Sequence, residues 1–227
     1  MKNLLLLGFI LFSMNVLGQV HSVGIQGGVN LSNCTSEIDF DDLKFKPGLL
    51  AGLNYEYLYK SNYTLGADLL YSEQGYIEEV KFVNEQGNIS TSELSFGYDY
   101  LSVPVKWGYT MGGRLKEFVK VGLCPSVLVK AYVAVPKDDV NLLGYEDLYF
   151  YDNVPKFDLG GLLELGAAYA LKNDLELFSS LTFRKSFTSI SSDEHFAGAD
   201  LKHYLFSMSV GLKYRLKAKS YQSSEEK

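Results

Sequence analysis

This chain of 227 residues repeats a strict alternation of apolar and polar side chains in eight stretches. The last, YLFSMSVGLKYRLK, shows it most plainly. Tyr204, Phe206, Met208, Val210, Leu212, Tyr214 and Leu216 fall on one side, and Ser207, Ser209, Gly211, Lys213 and Arg215 on the other. A period of two over this length is the signature of a strand with two unlike faces. The same pattern marks Val20 to Leu31, Leu49 to Tyr59, Tyr63 to Gln74, Tyr98 to Tyr109, Phe118 to Lys130, Phe157 to Leu171, and Leu175 to Phe187.

The question is which face points inward. In a soluble sandwich the apolar face packs a dry core. In a membrane barrel it meets lipid, and the polar face lines the interior. The polar faces carry Glu56, Asp68, Lys106, Lys120, Glu164, Glu176, Arg184, Lys213 and Arg215, four acids against five bases. Such a set suits a narrow lumen in which opposite charges pair, since burying unpaired ions is costly. The lumen of an eight-stranded barrel is just wide enough to be filled by side chains. The apolar faces end in aromatic residues. Tyr57, Tyr59, Tyr63, Trp107, Tyr109, Tyr169 and Tyr214 gather toward one end, and Tyr71 and Phe157 toward the other, as in the aromatic girdles of a membrane-spanning barrel.

The connections alternate as well. Lys60 to Asn62, Thr110 to Glu117 and Lys172 to Asp174 are short, with turn residues in MGGR and KNDL. Ser32 to Gly48, Gly75 to Gly97, Ala131 to Lys156 and Thr188 to Lys202 are long and hold acidic clusters such as EIDFDD and PKDDV. Short turns at one end and long loops at the other are the asymmetry of an outer-membrane barrel. The expected fold is therefore all-β: an eight-stranded antiparallel up-and-down transmembrane β-barrel with short periplasmic turns and long extracellular loops. YIEEVKFV and ISTSELSF, flanking NEQGN, read as a hairpin rising past the barrel rim.

The first 18 residues, with Lys2 before an apolar run from Leu4 to Phe12, read as a cleavable signal peptide. The barrel is expected over residues 19–216, and the polar stretch 217–227 as a disordered periplasmic tail. The location expected is the bacterial outer membrane. The formal charge of −6 argues against a nucleic-acid partner. Cys34, placed in a loop, and Cys124, placed in mid-strand, are expected to be free thiols without metal-ligand spacing.

Several stretches resemble a known family. DYLSVPVKWGY is similar to the fourth strand of PorT-like outer-membrane barrel proteins, which are small barrels of the OmpA/OmpX type. FVKVGLCPSVLV, FDLGGLLELGAAYAL and FSMSVGLKYRL resemble their fifth, sixth and closing strands. The resemblance implies an outer-membrane barrel without catalytic residues, some members assisting protein secretion by the type IX route. The polar tail after the last strand departs from the C-terminal aromatic of many such barrels.

The residues themselves offer little chemistry. His21 lies at the barrel entrance, His203 points inward near the outer rim, and His195 sits in SSDEHF beside Ser192, Asp193 and Glu194. That loop supplies residue types for a rim hydrolase, but four adjacent polar residues also describe a solvated loop. The expected function is a non-enzymatic barrel with a structural or partner-binding role, through its extracellular loops or periplasmic face. No catalytic residue, metal or cofactor is expected. The expected surroundings are outer-membrane lipid and another envelope protein, around a monomeric barrel. A barrel protease or lipase, a narrow pore and a soluble lipid-binding barrel are the alternatives.

Overall fold

The computed structural model describes residues 20–36, 43–59, 62–83, 89–134, 147–149, 154–171, 174–191 and 200–216. The stretches read as signal peptide and tail, and His195 with its neighbours Ser192 to Glu194, lie outside the described residues.

Ten strands are present: β1 (Val20–Ser36), β2 (Lys44–Tyr59), β3 (Tyr63–Val83), β4 (Ile89–Ser102), β5 (Val105–Gly112), β6 (Leu115–Ala134), β7 (Asp147–Tyr149), β8 (Phe157–Ala170), β9 (Leu175–Ser186) and β10 (Leu201–Leu216). All pair antiparallel. β4 and β5 are one stave interrupted at Val103 and Pro104, and β7 is a short addition to β6, so the ring has eight staves. Proline lacks an N–H for the ladder. The pairing is carried past it by Val103 N–H donating to the Pro125 carbonyl at 2.9 Å and Asp68 N–H donating to the Pro104 carbonyl at 3.0 Å. The ring closes where β1 meets β10, from His21 opposite Leu216 to Ser36 opposite Leu201. Closure pairs the backbone groups that lipid has no means to satisfy.

The strands exceed the sequence expectation at the long-loop end. β1 continues to Ser36 and β2 begins at Lys44, so Cys34 is in a strand, not a loop. The register with β10 explains this, because Asn33, Cys34, Thr35 and Ser36 each find a partner there despite their polar run. β6 reaches Ala134, four residues beyond Lys130, and gains β7 from a stretch read as loop. β3 and β4 continue as a hairpin from Ile77 opposite Ser95 to Val83 opposite Ile89.

The exterior is apolar around the whole ring. Ile25, Leu49 and Leu181 are each 61% exposed, and Val105, Val121, Leu163, Met208 and Val210 belong to the same band. An apolar surface of that extent has no place in water. Aromatics flank it: Tyr63 stacks on Trp107 at 6.2 Å and meets Tyr109 edge-on at the short-turn end. Phe45, Phe183, Tyr204 and Phe206 cluster at the other. The short turn between β5 and β6 is made by Gly112, whose φ of 104° favours glycine.

Candidate functional site

Every inward position on the staves projects into one lumen, so the lumen is the site to build. Its half toward the short turns is a chain of buried ions. Lys106 on β5 donates to Asp68 on β3 at 2.7 Å and to Glu164 on β8 at 2.8 Å. Lys120 on β6 lies 3.4 Å from Glu164 and 3.3 Å from Glu56 on β2. Lys213 on β10 closes the series on Glu56. Three carboxylates and three ammonium groups therefore alternate across the barrel, all six held away from solvent. Each ion withdrawn from water costs several kcal/mol, on the order of 3–5 when its partner is removed. The strict alternation offsets this by giving each interior member two neighbours of opposite sign. Asn54 and Gln26 donate to Asp68 at 2.6 and 3.0 Å, so that both of its oxygens accept hydrogen bonds.

The lysine stems run between rings. The Lys120 ammonium is 4.2 Å from the Phe118 ring centroid, and that of Lys213 is 4.4 Å from Phe178. Such cation–π contacts stabilise a desolvated ammonium. Phe178 lies against Gly211, where a Cβ would collide with its ring.

Arg184 and Glu176 stand apart from this chain. Glu176 pairs with Arg215 and, at 2.7 Å, with Lys116, in the short-turn mouth. Arg184 pairs with Asp158, which also accepts from Ser186 at 2.9 Å and Thr188 at 2.6 Å. The nine charges singled out in the sequence thus fall into three groups. Lys116 lies in the stretch Thr110 to Glu117 that the sequence reads as a turn, whereas β6 begins at Leu115. Its inward parity, two and four residues from Phe118 and Lys120, was the available signal. Asp158 was on the inner face but had no visible partner.

The half toward the long loops is mixed: buried Ser32, Lys46, Gln74 and the Arg184–Asp158 pair share it with apolar side chains, which corrects the expectation of a wet inner face along its whole length. Tyr76, Tyr98, Tyr100, Leu128, Ala131 and Leu201 form an aromatic and aliphatic fill, joined by Cys34 and by Val154 and Ile190 from the connections. Tyr76 stacks on Phe96 at 4.8 Å, and Tyr98 meets His203 edge-on at 5.0 Å. These residues sit at inward positions among serines and glycines, so alternation alone gave no hint of them.

Between the two halves lies a cavity of about 60 Å³ walled by Asp68, Lys106, Glu164, Leu50, Leu162 and Leu205. Another of about 40 Å³ opens in the short-turn mouth, walled by Glu56, Lys213, Lys116 and Glu176. They share no lining residue, and the ion chain separates them. Each has room for a few waters at most.

At the outer end, Lys44 reaches both Glu79 and, at 2.7 Å, Glu93, clamping β2 to the projecting hairpin. Its bond to Glu79 holds that carboxyl below the ordinary value of 4.5, and the two glutamates push the lysine above its own. Among the described residues no group of three or more His, Cys, Asp or Glu converges as metal ligands do.

A closed ring of eight antiparallel staves, greasy outside and ionic within, defines a transmembrane β-barrel. The chain belongs to the outer membrane protein beta-barrel domain family, whose model matches residues 19–192, and this places it in the bacterial outer membrane. No curated protein matches it. Among solved structures it is similar to Neisserial surface protein A at 12% identity, covering 86% of this chain and 97% of that one with a TM-score of 0.47. OprG from Pseudomonas aeruginosa gives 12% identity, 88% and 97% coverage and 0.47. The outer membrane protease OmpT from Escherichia coli gives 10% identity, 90% and 100% coverage and 0.39.

Proposed function

We propose that this protein is a non-enzymatic outer-membrane barrel that acts as a closed scaffold and presents its outer rim to another envelope protein. The observation that carries this reading is the filled lumen. The Asp68–Lys106–Glu164–Lys120–Glu56–Lys213 chain crosses it in one half, and the Tyr98, Tyr100 and Leu128 fill occupies the other. A solute path would need both to part.

The element offered to a partner is the β3–β4 hairpin, which rises past the apolar band with Thr91 and Glu93 exposed. The resemblance to PorT-like proteins makes a component of a secretion apparatus the partner to seek. A rim enzyme built on His195 is the competing reading, and a His195→Ala change that lowers hydrolysis would favour it.

The test of the scaffold reading is conductance. Protein refolded into planar bilayers should give no stepwise current above lipid alone. Discrete open-channel steps from the unmodified protein would replace it with a pore. A photo-crosslinker at Thr91 should then capture the same envelope protein in intact cells that one at an outward lipid-facing position, Val210, does not.

A further inference from the structure

Cys34 and His203 are direct partners across β1 and β10, two pairs in from the end of that ladder. The scaffold reading uses neither. Both are inward and buried, at 6% and 1% exposure. Cys34 is a free thiol. Neither ring nitrogen of His203 has a hydrogen-bond partner among the described residues. A buried imidazole ordinarily satisfies at least one. The Asp158 carboxylate is engaged elsewhere, by Arg184, Ser186 and Thr188. The rings of Tyr98 and Tyr100 stand edge-on to the imidazole at 5.0 and 6.0 Å and exclude water from it.

We propose that Cys34 and His203 form a two-coordinate site for a soft monovalent metal cation of the Cu(I) type. Directly opposed residues of an antiparallel pair hold their Cβ atoms about 4.5–5.5 Å apart. A metal–sulfur bond of about 2.3 Å and a metal–nitrogen bond of about 2.0 Å, taken from zinc sites, require donors about 4.3 Å apart for linear coordination. The two separations are compatible. Thiolate ligands favour soft ions, Cu(I) and zinc among them, so coordination number decides between the two. A tetrahedral zinc site needs four ligands, and among the described residues no third His, Cys, Asp or Glu joins the pair.

Charge argues the same way. Binding exchanges the thiol proton for the cation, and the proton leaves to solvent at the outer rim. The sulfur and the imidazole each donate an electron pair to the metal, with no change of oxidation state. The product, thiolate–metal–imidazole, is neutral and suits an aromatic, dry surrounding. A divalent ion would leave a net charge there, with the penalty that buried ions carry.

Silver(I), which does not cycle between oxidation states in air, is the probe. The full chain is refolded in detergent with Cys124→Ser, so that Cys34 is its one thiol. Calorimetric titration should show one equivalent of Ag(I) bound, and none after Cys34→Ser. Replacing even an outer partner of a metal ligand costs about 10–100-fold in affinity, so His203→Leu should weaken binding by more than that. Heat-dependent gel mobility reports whether each variant is folded. The His203 ring signals in an NMR spectrum of the Cys124→Ser protein supply a second readout that needs no His203 variant, and they should shift on Ag(I) addition. Unchanged ring signals, unchanged affinity in folded His203→Leu, or equally tight binding of Zn(II) would each overturn the proposal.

Discussion

Lys213 on the last strand donates to Glu56 on the second, reaching past the whole of β1 to do so. The bond joins the two strands that flank the first, so it ties the seam where the chain closes on itself. It also sets one end of the six-ion series that runs to Asp68. Its loss should therefore be felt as a loss of barrel stability, not as a local change.

Lys213→Met leaves Glu56 with Lys120 as its one remaining cation. Breaking a buried pair costs about 3–5 kcal/mol, whereas removing both partners is closer to neutral. The single variant should unfold from detergent at clearly lower urea concentration, and Glu56→Gln in the same chain should restore part of the difference. Equal midpoints for parent and single variant would show that the pair contributes nothing.

The sidedness of β10 is testable at mid-strand. Met208 is 53% exposed on the lipid face, and an arginine near the bilayer midplane costs about 2–4 kcal/mol in a barrel of this kind. Met208→Arg should reduce the folded fraction recovered in vesicles, read by heat-dependent gel mobility. Met208→Leu should fold as the parent does.

Gly211 lies under the Phe178 ring, and a side chain there meets both that ring and the Ile25 carbonyl. Gly211→Val should lower stability by about 1–3 kcal/mol through overpacking. Adding Phe178→Leu should recover part of it, because the ring is one of the two obstacles. Urea midpoints of the three proteins decide the matter.

The outer clamp should respond to pH in a stated direction. Glu79 has its carboxyl held below 4.5 by Lys44, so the stabilisation is present above the ordinary carboxylate range and lost as pH falls through the lowered value. Lys44 is raised, so its share is complete below 10.5 and lost only as pH rises beyond the raised value. Amide exchange along Glu78 to Lys81 should stay slow from neutral pH down to about the ordinary carboxylate range and quicken below it, after correction for intrinsic rates. Lys44→Met should abolish that acid transition while leaving exchange in the membrane band unchanged.

Alternation in the sequence determined the eight staves and the lipid-facing side, because a period of two assigns faces without any knowledge of partners, and the short connections gave the antiparallel order. It also singled out nine of the inward charges, since a charge on an otherwise small-residue face stands out, but not Lys46, Lys116 or Asp158. Partner choice came only from three dimensions. Lys213 meets Glu56 and not Glu164, and Arg184 meets Asp158 outside the main chain of ions, because strand stagger sets the level at which each side chain enters the lumen. The aromatic half of the lumen was hidden for a related reason. Tyr98 and Tyr100 on β4 belong to the stave that carries Lys106 on β5, at the same inward parity, and only the bulge between Asp99 and Tyr100 and the inward turn of the connections bring Leu128, Val154 and Ile190 around them. Sequence fixes which face a residue takes, whereas height and neighbours around a closed ring depend on register, which is a property of all eight staves together.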